Sequence, residues 1–318
     1  MTDDATTDGE LRALEPTEVR ARRRPLAIAL VYAWQLAWGF VLATPAHAWA
    51  NRSWGAHPDG DAVLFRPGGY NLVSWFLGAD AALAVVTRTT LVLFVVGVLL
   101  SQIPLGALLA SLATGRGSVG IAPRPASALR ASIASFFPLL VVLVLTSIVQ
   151  LAIVAAGAWV GSSVSRAFLP SLGETPAFGV NMVVLALFVL GACIIGVLGD
   201  VARAAVVHDV VTNDDDERRA FSRVKNALVM TRLVSRNALT ATSLAWGWRA
   251  AIGVALVVAG SGAANILGGQ GGGALTALTL IHQAVVLGRT ALRASWLARA
   301  TRLVAYVARA RRGVDASD

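Results

Sequence analysis

Six stretches of this chain run for roughly 20 or more residues with hardly a charge, the length a helix needs to cross a hydrocarbon core. That feature alone rules out most soluble folds. The composition agrees: 56% of the 318 residues are hydrophobic and 14% are charged, where a soluble domain carries about a quarter charged residues. Mean hydropathy is +0.67. The chain therefore reads as an all-α, polytopic membrane helical bundle of about six transmembrane helices. A cytoplasmic tail occupies 1–24, acidic at first and Arg-rich from Arg20 to Arg24. The transmembrane domain fills 25–298, with spans at about 26–46, 90–112, 133–160, 178–205, 246–266 and 274–296, and a basic tail occupies 299–318.

Charge sets the expected orientation. Arg20 to Arg24, Arg116, Arg124, Arg130, the group from Arg218 to Arg236 and the C-terminal arginines all fall in alternate connecting segments. The remaining segments carry only Arg52, Arg66, Arg88 and Arg166. The positive-inside bias then puts both termini in the cytoplasm, for a multi-pass protein of a bacterial inner membrane. A net charge of +9 would suggest nucleic acid in a soluble protein. Here the cations lie between apolar runs, where they match anionic lipid headgroups, and no basic, aromatic platform lies outside the spans. Nucleic acid is not an expected partner. Cys193, the only cysteine, lies mid-span, which excludes an internal disulfide, a zinc ribbon or a redox pair.

Local signals refine the picture. Ala46-His47-Ala48 resembles a signal-peptidase site, but the apolar run before it exceeds a secretory h-region, so an uncleaved first helix is expected. Pro104 predicts a kink in the second span, and Gly157-x-x-x-Gly161 predicts close helix approach in the third. Leu72, Val73, Trp75 and Phe76 suggest a short outer interfacial helix, and Ser162 to Ala177 an outer loop. Trp49, Trp54, Trp75 and Trp159 would form an outer aromatic belt, and Trp246, Trp248 and Trp296 an inner one.

Ionisable residues inside spans are costly, so they are site candidates by default. Asp200, Arg203, Arg249 and Arg289 fall in the inner third of three different spans. The expectation is one charge network in which Asp200 pairs with Arg249 or Arg289. The alternatives are arginines that snorkel to the headgroups, or a site for a phosphate or carboxylate. His282 and Gln283 lie nearer the middle of the sixth span. No other acidic residue shares that depth, so a buried, hydrogen-bonded histidine is expected ahead of a proton relay. After the fourth span, Asn213 to Glu217 caps a new helix from Arg218 to Arg236. Phe221, Val224, Leu228 and Thr231 share one side of it, which predicts an interfacial helix on the inner leaflet. Arg218, Arg219, Arg223, Lys225, Arg232 and Arg236 are its candidate lipid-surface cations.

No catalytic constellation emerges. There is no Gly-x-Ser-x-Gly elbow and no His-Glu-x-x-His, and the run Gly268 to Gly273 lacks the Lys-Ser/Thr of a phosphate loop. His47, His57, Asp59 and Asp61 match no metal spacing, and Asn213 to Glu217 lacks the calcium-loop frame. No metal or cofactor is expected. Asp200-Val-Ala-Arg203, the helix from Arg218 to Arg236 and the Gly68-Gly69 loop carry a resemblance. The layout is similar to bacterial six-helix integral membrane proteins of unknown function, akin to the membrane domain fused to some glycerophosphodiester phosphodiesterases. The phosphodiesterase domain itself has no counterpart here, so the resemblance implies no catalytic residue. The leading expectation is a non-enzymatic scaffold or lipid-organising bundle, with anionic lipid and a membrane-protein partner or second copy as partners. The alternative is a small transporter or permease subunit for an anionic or amphipathic solute passing Arg249, Arg289 and His282. A lipid-directed membrane enzyme using His57 or Asp59 ranks third.

Overall fold

The computed structural model describes residues 21–54, 73, 74, 77, 78, 80–113, 125–212, 220–267 and 272–315. The described chain is helical, with six helices long and apolar enough to cross a membrane. After a 3-10 turn at Ala21–Arg23 come α1 (Pro25–Trp54), α2 (Asp80–Leu100), α3 (Gln102–Ala113), α4 (Pro125–Leu172), α5 (Glu174–Thr212), α6 (Ala220–Leu267) and α7 (Gly273–Asp315). Trp75 and Phe76, Arg218 and Arg219, the Gly68-Gly69 loop, His57, Asp59 and Asp61 lie outside the described residues.

The helices outrun the spans. At 1.5 Å per residue, the 48 residues of α4 reach about 72 Å, against about 30 Å of hydrocarbon. The outer loop expected from Ser162 to Ala177 is helix instead, broken only at Gly173. Hydropathy marks where lipid contact demands apolar side chains, whereas the more polar end of α4 runs on as helix and carries Pro170 in its last turn. Gly173 does break it: its φ of +80° is left-handed, and its N–H bonds the Leu169 carbonyl at 3.1 Å. A glycine just past a helix end closes it in this way. The chain then restarts at once as α5.

The chain forms two compact units. In the unit of residues 30–102, Trp34 and Trp38 stack on α1 with ring centroids 5.4 Å apart. Trp38 fills the space over Gly97 of α2, where a Cβ would meet its indole. Pro104 breaks the second span as expected, and the break falls at Ser101. Proline has no N–H for the Leu100 carbonyl and its ring crowds that same carbonyl. The helix stops there and restarts with Pro104 in the first turn of α3, where it is tolerated.

The other unit holds residues 1–29 and 103–318. Its helices α4 and α5 run antiparallel in close register. Ser165 Oγ donates to the Ala177 carbonyl at 2.8 Å, and Gln150 Nε2 to the Ala192 carbonyl at 2.9 Å. Small residues make this approach possible. A Cβ on Gly157 would lie 2.4 Å from Phe188 Cβ, one on Gly161 2.4 Å from Asn181 Oδ1, and one on Gly199 2.4 Å from Thr146 Cγ2. The Gly157-x-x-x-Gly161 spacing thus faces α5. Helices α6 and α7 form a second antiparallel pair, with Gly288 against Leu256 and Gly260 against Val285.

Burial is concentrated at one end. The middles of α4 to α7 expose Leu151, Trp159, Leu187, Val254, Val258 and Leu280 at more than half of their surface. By contrast, every residue from Gly199 to Val207 is buried. Nine consecutive buried residues mean that all faces of α5 are covered there. The sequence allows it: Gly199, Ala202, Ala204 and Ala205 alternate with valines, so neighbours close in from every side. Buried side chains of α3 (Leu105, Leu108, Leu109, Leu112), α4 (Leu139, Val142), α6 (Val224, Ala227, Val234) and α7 (Leu297, Val304) belong to this same end.

Helix α6 reaches it through a break. Ala238 has non-helical angles (φ −148°, ψ 27°) and separates an arm, 220–237, from the apolar length beyond. Arg249 bonds Ser295 of α7. A straight α6 would therefore carry Arg223 about 39 Å past the level of Ser295, beyond the end of α7 at about 30 Å. Yet Arg223 and Val224 are buried. The break bends the arm away from the axis of the apolar length, and its inner face is covered by the bundle.

Candidate functional site

The buried end holds the charges that the sequence singles out. Asp200 and Arg203 lie one turn apart on α5, so their side chains share a face. Asp200 Oδ1 accepts from Arg203 Nη1 at 2.7 Å, with the two side chains 12% and 11% exposed. Trp296 Nε1, on α7, donates to the other carboxylate oxygen at 3.1 Å. Asp200 therefore does not pair with Arg249 or Arg289. Its guanidinium comes from its own helix, and an indole makes the bridge to α7. The tie between the fourth and sixth spans exists through a different donor.

Trp296 is correspondingly not part of an aromatic belt. It is 2% exposed and among the largest fully buried side chains. An indole brings apolar bulk and one donor, which suits a buried carboxylate that needs partners on both oxygens. Three polar groups thereby bond one another in a buried setting, although Arg203 Nε has no hydrogen-bond partner among the described residues.

Arg249 occupies a separate position. Its Nε donates to Ser295 Oγ at 3.2 Å, its Nη1 donates to the Ala245 carbonyl, and its guanidinium lies 4.3 Å from the ring centre of Trp248. All three partners are neutral. The charged groups near it are Arg299 and Arg302. Both follow Ser295 on the same face of α7, at four and seven residues' distance. Arg299 and Arg302 therefore follow along the strip of α7 that Arg249 meets at Ser295, and Arg302 has a further partner within the protein.

Arg289 projects from an exposed face of α7 and joins neither cluster. His282 is exposed as well, although its ring borders Gly260 of α6, so the expected buried histidine is not what the fold provides. Gln283 is partly buried and hydrogen-bonded or in contact within the protein.

On the arm of α6, Lys225, Arg232 and Arg236 are exposed, as surface cations would be. Arg223 is not: it is 7% exposed and shares the packed face with Val224, Ala227, Thr231 and Val234. The arm's inward face therefore runs through 223, 224, 227, 231 and 234. Phe221 at 79% and Leu228 at 48% exposure lie off it, against the face expected from the sequence. A helix that packs on a bundle selects its inner face by packing, and its other face is left exposed. Among the described residues, no group of three His, Cys, Asp or Glu side chains is placed to hold a metal ion.

No family model, no curated protein and no solved structure matches the chain. None therefore bears on the resemblance to membrane domains fused to glycerophosphodiester phosphodiesterases.

Proposed function

We propose that this multi-pass membrane protein is a non-enzymatic scaffold that organises anionic lipid, with its packed, basic end on the cytoplasmic side of a bacterial inner membrane. The observation that carries this reading is the distribution of burial and charge. The helix middles offer apolar surface outward, while the end built around Gly199–Val207 is tightly packed and rimmed by exposed Lys225, Arg232, Arg236, Arg309 and Arg311. A folded platform with outward cations suits a leaflet rich in anionic headgroups, each such cation near the surface contributing about 1 kcal/mol. The same platform would present a rigid face to a second membrane protein or a second copy.

A permease would need Arg249, Arg289 and His282 along one route. Arg289 and His282 lie exposed on α7 while Arg249 is held against Ser295, an arrangement that lends the transport reading no support. The test is to extract the protein with its surrounding lipid in polymer-bounded nanodiscs and measure the lipid composition. Anionic lipid should be enriched over the bulk membrane around the wild type. Enrichment should fall to the bulk value in the triple variant Lys225→Gln, Arg232→Gln, Arg236→Gln. Bulk composition around both would refute the proposal.

A further inference from the structure

Most arginines at the packed end either stand in the open or have their charge met. Arg203 has Asp200. Arg232, Arg236, Arg309 and Arg311 are exposed. Arg249 and Arg299 fit neither description. Both are partly buried, and neither has an acidic partner among the described residues. Arg299 Nε is buried with no hydrogen-bond partner among the described residues.

Such a pair is costly to hold. Like charges this close repel, and desolvation strengthens the repulsion. Each guanidinium also leaves donors unmade at a cost larger than that for a neutral group. Yet the fold does not let Arg249 swing away. Ser295 Oγ takes its Nε, the Ala245 carbonyl takes one Nη, and Trp248 covers one face of the plane. These contacts orient the group without neutralising it. Nη2 and the second N–H of Nη1 are left over by these bonds, and planar guanidinium donors suit the oxygens of one anion.

The neighbours complete the arrangement. Arg299 lies one turn from Ser295 on the same face of α7, and Arg302 lies one turn further. Trp248 is 48% exposed, and half-exposed tryptophans favour the level of the headgroups. An anion reaching this strip would come from the interfacial layer.

We infer that Arg249, oriented by Ser295, Ala245 and Trp248, forms with Arg299 and Arg302 a specific site for a phosphate group between α6 and α7. The inference rests on the proposed lipid-organising role and deepens it. It places one discrete phosphate at the arginine strip, distinct from the diffuse attraction due to Lys225, Arg232 and Arg236. The phosphate can belong to an anionic phospholipid or to a soluble phosphate compound, and the two sources are separable.

The test is thermal unfolding of the full chain in a non-ionic detergent, with three probes titrated separately: short-chain phosphatidylglycerol, short-chain phosphatidylcholine and inorganic phosphate. Phosphatidylglycerol should raise the wild-type Tm saturably, at lower concentration than phosphatidylcholine. The midpoint should weaken by roughly 10- to 100-fold in Arg249→Gln and in Arg299→Gln, as loss of a charge-assisted hydrogen bond implies. Arg249→Lys keeps the charge but loses the fork, and should fall between. Arg289→Gln, exposed and outside the strip, should respond like the wild type. A saturable response to inorganic phosphate, lost in the same two variants, would also support the site and would identify a soluble source. No saturable response to phosphatidylglycerol or to inorganic phosphate would overturn it, and so would responses unchanged in both variants. A variant that does not fold is replaced by the other, since either removes half of the fork pair. If the triple variant of the arm loses lipid enrichment while Arg249→Gln and Arg299→Gln bind normally, the site fails and the scaffold reading stands.

Discussion

Asp200 accepts on both oxygens, from Arg203 of its own helix and from Trp296 of α7, and the second bond ties the two helices together. Removing one member of a buried charged pair strands the other, typically at about 3–5 kcal/mol. Asp200→Leu should therefore lower detergent thermal stability and membrane accumulation more than Asp200→Asn, which keeps an acceptor for the indole. Trp296→Phe keeps the bulk and removes one hydrogen bond to a charged group, for a loss of about 1.5–3 kcal/mol. Unchanged unfolding in Asp200→Leu would contradict a structural role for this knot. The charges are legible in the sequence because an ionisable residue within a span is rare enough to demand a partner. The partner is not. A tryptophan among arginines near a span's end looks like an interfacial anchor, and only tertiary packing turns Trp296 inward. Arg249 likewise stands out through its depth, while its link to Arg299 and Arg302 depends on which face of α7 meets α6.

At the scale of helices, glycines separate into two kinds that can be told apart by adding one methyl group. On Gly199 or Gly157 a Cβ would stand 2.4 Å from its neighbour, so Gly199→Ala should cost about 1–3 kcal/mol of stability by overpacking. Gly179 lies on the same helix as Gly199 with nothing within 4 Å. Gly179→Ala should therefore be neutral or gain up to about 1 kcal/mol from helix propensity. Gly173 has open space too, but its φ of +80° would cost alanine about 1–2 kcal/mol. Thermal unfolding of the three variants side by side checks the order, and equal effects at Gly179 and Gly199 would contradict the close approach of α4 and α5. Gly157-x-x-x-Gly161 is legible as a spacing, and Pro104 as a breaker. The reach of α4 through Ser162 to Leu172 is not, since those residues have no hydropathic signature and include Pro170, which reads as a breaker but is carried in the last turn of the helix. The bend of the α6 arm is also hidden. It depends on Ala238, a residue with no turn preference, and the packing of Val224, Ala227 and Val234 enforces it.

Over the whole molecule, the order of stability should follow the order of burial. Backbone amides of Gly199–Val207 and of the α7 segment around Trp296–Val304 should exchange slowest, because opening them exposes the most apolar surface. Those near Phe221 and at the C-terminal turns of α7 should exchange earlier. A polytopic helical chain is evident from the apolar runs. The position of its core is not, because hydropathy reports what lipid accepts and says nothing of which helix ends meet. Above all, the proposed role requires this packed, cation-rimmed end to face the cytoplasm, where anionic headgroups and protein partners can reach it. The decisive experiment uses the single native cysteine to advantage. In a Cys193→Ser background, Lys225→Cys on the exposed arm and Glu174→Cys at the opposite turn are each treated with a membrane-impermeant maleimide. Lys225→Cys should be protected in intact cells and modified in inverted vesicles, with Glu174→Cys showing the reverse. Modification of Lys225→Cys from outside intact cells would put the basic end on the wrong face and contradict the proposed role.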